Sequence, residues 1–311
     1  MILGMCWLAF FFRIPIHANG KVVCATGENP VGCDGLRDKS NNREPPEIRI
    51  SSDVLPTPWP GNVVFVSNLL GLFFDNEEQM EMLKTEVGEV DSYGGRLLPV
   101  IDLIFGGPGG NLLTLECHPD PDLHEFFTSQ TGLSLPEQMI FSHRDYLEAG
   151  RSVAEWPEAV ARCLQAIREH PAPWIDGYVT DRRLVRIAEL TGKRTLSSYE
   201  GSRMGNDKAA LHRFLFEANL PVPMTEFAEE PGDLSRAVER LHRHGHRRAV
   251  IKSAVGASGI GLVKIPDTGD CQKTLAEIPA YFFQQGPCLV QAWLQAGEHG
   301  IEAVHSPSAQ L

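Results

Sequence analysis

From about Asn62 onward the chain alternates short apolar runs with amphipathic segments, and this alternation constrains the fold more than any other feature. VVFVSNLLG (63–71) is an apolar run closed by polar residues and glycine, which predicts a buried strand. EEQMEMLKTEV (77–87) spaces its apolar residues as a helix does. LLPVIDLIF (97–105) and NLLTLE (111–116) read as two further strands, and FGGPGGN (105–111) as the turn between them. DLHEFFTSQTG (122–132) predicts a short helix ended by Gly132, and EQMIFS (137–142) a short strand. EWPEAVARCLQAIREH (155–170) predicts an amphipathic helix, and PWIDGYVTD (173–181) a strand ending in an acidic cap. Residues 181–190 predict another helix, closed by Gly192. Strands interleaved with helices imply an α/β chain with a mostly parallel sheet.

The character shifts after Ser197. NDKAALHRFLFEANLPVP predicts a helix capped by Asn206 or Asp207 and stopped at Asn219, before Pro221 and Pro223. Residues 233–244 predict a second helix, with Gly245 as its stop. RRAVIKSAVGASGIGLVKI and CLVQAWLQ are both strand-like. Before Asn62, residues 19–60 are rich in turn-forming and charged residues without apolar periodicity, which predicts a linker-like or disordered arm.

Bulk properties narrow the partners. The chain has 311 residues, enough for about two domains. A net charge of −12 disfavours nucleic acid and anionic membrane surfaces, though a small anion can still be held locally. Seven cysteines occur without a CxxC pair or zinc-type spacing, as expected of reduced thiols in a cytoplasmic protein, and no metal ligands are assigned. The apolar start, Met1–Phe12, is too short to span a bilayer. Its length fits a signal-peptide core, but no Lys or Arg precedes it and no clean cleavage site follows, so secretion stands as the minor alternative.

AVIKSAVGASGIGLVKI (249–265) carries the clearest chemistry. Val250 and Ile251 lead into Lys252, and a lysine at the inner end of an apolar strand is costly unless its ammonium meets an anion. Gly256, Gly259 and Gly261, with Ser258 among them, remove side chains so that backbone N–H groups can close on phosphate oxygens. A second strand follows. The spacing is neither a Walker A motif, which needs GK[ST] opening a helix, nor the dinucleotide fingerprint, which needs a helix after its glycines. Taken alone, a glycine-rich hairpin with an exposed lysine explains the segment equally well. Lys208, just after the N-cap, opposes the helix dipole; a bound phosphate would explain it, and so would a solvated first-turn lysine. In CLVQAWLQ (288–295) the backbone could meet an adenine edge between apolar side chains, or the segment is a plain core strand.

The order NDK-helix-LPVP, then AVIKSAVGASGIGLVKI, then LVQAWL resembles the ATP-grasp superfamily over roughly residues 197–311. The region ending PWIDGYVTDRRLVRIAELTGKRTLSSYEGSRMGNDK is similar to the pre-ATP-grasp domain of that superfamily. SYEGSRMGNDK, IKSAVGASGIG, VQAWLQ and HSPSAQ are most similar to the peptide ligase of pheganomycin biosynthesis and its relatives. Composition makes 1–60 a disordered or linker-like N-terminus, and the resemblance implies a Rossmann-like pre-ATP-grasp domain 61–196 and a truncated α+β ATP-grasp domain 197–311. It implies ATP-dependent joining of a carboxylate to an amine through an acyl phosphate, on a small carboxylate, amino acid or peptide. Lys208 and Lys252 would hold phosphates. Gly256, Ser258, Gly259 and Gly261 would cover them. Gln291, Ala292, Trp293 and Leu294 would line the adenine pocket, and Glu298 or Glu302 would reach the ribose. The Mg²⁺ ligands of the superfamily come from the second half of the grasp domain, and no E-x-N pair follows Gln291 here. That leaves a ligase, a non-catalytic remnant, or a Rossmann-type nucleotide-binding protein as alternatives, with the oligomeric state open. LHRHGHRR (241–248) reads as a basic helix end and CHPDPDLHEF (117–126) as a surface loop, in preference to metal sites.

Overall fold

The computed structural model describes residues 59–107, 109–151 and 155–304. Expectations for Met1–Phe12 and for nearly all of 19–60 fall outside the described residues. The described residues form two compact units, one running to Asn206 and the other starting at Asp207.

The first unit holds strands β1 (Val63–Val66), β2 (Leu112–Leu115), β3 (Glu137–Ile140), β4 (Trp174–Gly177) and β5 (Arg194–Thr195). They form a parallel sheet in the order β3-β2-β1-β4-β5. Its helices are α1 (Glu77–Glu86), α2 (Leu98–Ile104), α3 (Pro121–Glu125), α4 (His143–Ala149), α5 (Glu158–Glu169), α6 (Arg182–Thr191) and α7 (Tyr199–Asn206). β1 is apolar throughout because both of its faces are covered. Val64 and Val66 pack with Leu164, Ile167, Leu184 and Ile187 of α5 and α6, while Val63 and Phe65 pack with Leu98 and Ile101 of α2.

The second unit holds helices α8 (Lys208–Glu217), α9 (Leu234–Arg243) and α10 (Gln272–Ala276). Strands β6 (Thr225–Ala228), β7 (Ala249–Lys252), β8 (Leu262–Ile265) and β9 (Cys288–Ala292) form an antiparallel sheet in the order β6-β9-β7-β8. The chain is thus mixed α/β, a parallel sheet followed by an antiparallel one.

Three sequence expectations need correction. Residues 97–105 form the helix α2, not a strand. Pro99 sits in its first turn, where its missing N–H costs nothing, and Leu98, Ile101, Asp102 and Phe105 are buried at helical spacing. FGGPGGN therefore connects a helix to a strand. Its glycines answer a close approach: a Cβ on Gly106 would lie 1.7 Å from Asn62 Oδ1, and one on Gly110 2.1 Å from Asn62 Nδ2. The strand expected over 63–71 stops at Val66, because side chains take over from the ladder. Ser67 Oγ donates to Thr114 O at 2.6 Å, and Asn68 Nδ2 to Val179 O at 2.9 Å. A 3₁₀ turn follows at Leu69–Phe73. The sequence reading also passed over α4, α7, α10, β5 and β6, all short or lacking clean periodicity.

Asn111 is 0% exposed and joins these parts. Its Oδ1 accepts from Val63 N at 2.8 Å, and its Nδ2 donates to Asp102 Oδ1 and Phe105 O, both at 2.8 Å. Asn111→Leu strands two acceptors and a donor, so urea denaturation should show a loss of about 2–4 kcal/mol.

Candidate functional site

The glycine hairpin forms as the spacing suggests. β7 and β8 pair antiparallel with Lys252 opposite Leu262, and the chain turns over between them. Ser253 N continues the ladder to Gly261 O at 2.8 Å. Ala254, Val255, Ala257 and Ile260 are buried and anchor the loop from below, leaving Ser258 and Gly259 as an exposed tip. Ser258 (φ 53°), Gly259 (φ 89°) and Gly261 (φ 76°) all lie in the left-handed region. A Cβ on Gly256 would sit 2.4 Å from Ile260 O, so only glycine fits there.

The loop's polarity is one-sided. The carbonyls of Gly256, Ala257, Gly259 and Gly261 are engaged, by Lys208 Nζ, Ile260 N, Leu262 N and Ser253 N respectively. The N–H groups of Gly256, Ala257, Ser258 and Gly259 donate to no acceptor among the described residues. Of these four donors, those of Ser258 and Gly259 lie at the exposed tip, where backbone N–H groups could meet an anion.

Two lysines converge on this hairpin. α8 begins at Lys208 because the Asp207 side chain caps it, accepting from Ala209 N at 2.9 Å and Ala210 N at 3.0 Å. Lys208 N donates to Ala254 O at 2.8 Å, and its Nζ reaches Gly256 O at 2.9 Å. It is therefore no solvated first-turn lysine: it pins the base of the loop. Burial, then repulsion from Lys252, push its ammonium down to about 7, against the pull of Asp207. Burial pushes Lys252 down to about 8. His212, one helical turn after Lys208, is held down to about 4 by burial and by Lys252 and Arg213, and is neutral. The sequence reading missed His212; its i+4 spacing from Lys208 was the available signal.

Lys252 Nζ donates to Gln291 Oε1 at 2.7 Å, and Gln291 Nε2 donates to Thr225 Oγ1 at 3.0 Å. Gln291 is 4% exposed, in the middle strand between β6 and β7. Because paired residues share a face and alternate residues return to it, Lys252, Val250, Gln291 and Thr225 lie on one side of the sheet. Trp293 follows on that side. It is 36% exposed, donates its backbone N–H to Arg248 O at 3.0 Å, and carries Lys264 Nζ 5.1 Å from its ring centroid. Ala292 is buried and Leu294 half-buried. Glu298 lies away from Lys252. Glu298 lies near His246, three residues before the start of β7 and so beyond the strand end remote from Lys252, and Glu302 is exposed. Among the described residues no group of three His, Cys, Asp or Glu side chains gathers to hold a metal ion. His242 is instead tied to Thr268 Oγ1 at 2.8 Å, and His246 stacks on His299 with ring centroids 4.1 Å apart.

The parallel sheet has its own polar cluster at its carboxyl edge, which the sequence reading passed over as a strand end and a loop. The Glu116 side chain is 6% exposed, with Oε1 3.8 Å from His143 Nδ1, too long for a hydrogen bond. Burial, then the Asp91 charge, push Glu116 up to about 8, while burial holds His143 below its usual range. Both are therefore neutral near pH 7 and form no ion pair.

Neither a family model nor a curated protein matches the chain. Solved structures overlap it in part. D-alanyl-alanine synthetase A of Vibrio cholerae shares 16% identity over 40% of this chain and 39% of its own, with a TM-score of 0.33. N5-carboxyaminoimidazole synthetase of Staphylococcus aureus, complexed with ADP, shares 12% over 76% and 48%, with a TM-score of 0.41. A RimK-domain ATP-grasp protein of Sphaerobacter thermophilus shares 18% over 60% and 64%, with a TM-score of 0.37. The chain thus spans less than half the length of the first two of these structures. At these TM-scores the likeness carries no weight on function.

Folded Glu116 keeps its proton to about pH 8, whereas the unfolded residue loses it near its ordinary 4.5. The folded state holds the extra proton between those values, so this residue's contribution to stability falls as pH rises through that window. Glu116→Gln removes the titration. Thermal melts should show the variant more stable than the unsubstituted chain at pH 8, by about 1–3 kcal/mol, with the difference shrinking toward pH 5. A difference that does not change with pH would contradict the assignment.

Proposed function

We propose that the second unit binds ATP, with the triphosphate under the hairpin 253–261 between Lys208 and Lys252 and the adenine toward Trp293. The observation that carries this reading is the pairing of two partly buried ammonium groups with a loop in which the N–H groups of residues 256–259 meet no acceptor among the described residues while four carbonyls are engaged. Trp293 lies opposite Arg248, four residues before Lys252. At roughly 3.3 Å per residue the cationic and aromatic ends are about 13 Å apart, a span that suits an extended nucleoside triphosphate.

ATP held this way supports ligase chemistry. A carboxylate oxygen attacks the γ-phosphorus and ADP leaves; an amine then attacks the acyl phosphate carbon, and inorganic phosphate leaves. Lys208, Lys252 and the loop N–H groups would bind the phosphates, offset their charge and keep water from them. ATP-grasp enzymes use Mg²⁺ in this chemistry. The described residues offer no ligand group that fits the ion, and no step is assigned through it. Substrates would be a small carboxylate and an amino acid or peptide amine. Among the described residues no helix is long and apolar enough to cross a membrane.

One observation favours a second reading. The parallel sheet has the strand order of dinucleotide-binding folds, with its switch point between β1 and β4. However, β1 is followed by Ser67-Asn68 and a lone Gly71 rather than a glycine fingerprint. Calorimetric titration with ATP and with NADH separates the two. ATP should bind and NADH should not, and Lys252→Ala should weaken ATP by about 1.5–3 kcal/mol. Binding of NADH without ATP would overturn the reading, and an unchanged ATP affinity would remove Lys252 from the site. ATP binding without any carboxylate-dependent release of phosphate would leave a nucleotide binder and end the ligase proposal.

A further inference from the structure

We propose that Thr225 is a positioning residue that fixes the polarity of the Gln291 amide and, through it, the place of the Lys252 ammonium. Its relevance to ATP rests on the reading that Lys252 faces the phosphates.

The inference follows from counting hydrogens along a part-buried chain of four groups. Thr225 Oγ1 lies 2.9 Å from Pro223 O, a carbonyl that can only accept. The single hydroxyl hydrogen is committed there, so Thr225 Oγ1 can only accept from Gln291. It lies 3.0 Å from Gln291 Nε2, which therefore donates. The amide's other end, Oε1, is left facing Lys252 Nζ at 2.7 Å. The reverse amide orientation would set Nε2–H groups against an ammonium and Oε1 against a hydroxyl with no hydrogen to give. Both contacts would then be lost inside a strand face where Gln291 is 4% exposed. Thr225 stands directly opposite Gln291 in the β6–β9 register, which holds the hydroxyl on the right face. One edge-strand hydroxyl thus sets the direction of the whole chain from Pro223 O to Lys252.

The choice of an amide at position 291 matters too. A carboxylate there would pair with Lys252 and cancel its charge. The amide oxygen orients the ammonium without itself cancelling its charge. Thr225 is what makes a two-ended amide behave as a one-sided acceptor.

The test uses the full chain and four variants: Thr225→Ser, Thr225→Val, Thr225→Ala and Gln291→Glu. Lys252 Nζ is titrated by NMR in ¹⁵N-lysine-labelled protein, assigned with Lys252→Arg, and ATP affinity is measured calorimetrically alongside. Thr225→Ser keeps the hydroxyl and should match the unsubstituted chain in both. Thr225→Val and Thr225→Ala free the amide to turn. Each should lower the Lys252 midpoint by about half to one unit and weaken ATP about 5–10-fold. Gln291→Glu should raise the midpoint while also weakening ATP. If Val or Ala at position 225 leaves the midpoint and the affinity unchanged, the positioning role is wrong, whatever ATP does. If serine fails to match the unsubstituted chain, the role is steric and the proposal fails as well. Should the unsubstituted chain not bind ATP while the midpoint still follows the hydroxyl, the relay stands and the nucleotide reading falls.

Discussion

The second unit is organised around two ammonium groups brought onto one partly buried face. Lys208 and Lys252 repel each other, both lose solvation, and Lys208 also sits at the positive end of α8. Left to stability alone, such an arrangement would be replaced by apolar residues. The fold holds it with carbonyl-type acceptors: Gly256 O takes one ammonium and Gln291 Oε1 the other. These acceptors orient the charges and, being neutral, do not themselves cancel them.

The glycine hairpin completes that logic through the backbone. Ile260 N, Leu262 N, Ser253 N and Lys208 Nζ occupy four of its carbonyls, and the N–H groups of the exposed Ser258 and Gly259 donate to no acceptor among the described residues. The left-handed residues Ser258, Gly259 and Gly261 make the turn, and Gly256 lets the strand pass within contact of Ile260 O. Sequence at this loop answers backbone geometry: the left-handed turn and the close approach at Gly256 both favour the absence of side chains.

Much of this was legible from sequence, for reasons that differ by element. β1 and β2 were legible because burial on both faces leaves largely apolar runs, and α5, α6 and α9 because one buried face imposes helical spacing. The hairpin and its lysine were legible because glycine spacing and an inward lysine have few structural explanations. α2 was misread because an apolar run with helical burial looks like a buried strand unless Pro99 is weighed. The Lys252–Gln291–Thr225 chain was not legible, since it depends on the β6–β9–β7 register, and β6 itself follows a proline-rich connection with little apolar signal. The Glu116–His143 cluster joins two strand ends far apart in sequence, and only the parallel sheet brings them together.

The central claim, that the two depressed lysines are a phosphate site, is tested most directly by proton linkage. In the free protein Lys208 has its midpoint at about 7 and Lys252 at about 8. At pH 8 the first is mostly neutral and the second about half charged, and a triphosphate between them favours the charged form of both. ATP binding measured by calorimetry at pH 8, in two buffers of different ionisation enthalpy, should therefore take up about one proton or slightly more. Affinity should fall as pH rises further. Binding with no proton uptake, and with an affinity indifferent to pH between about 7 and 9, would mean that ATP is held somewhere other than between Lys208 and Lys252.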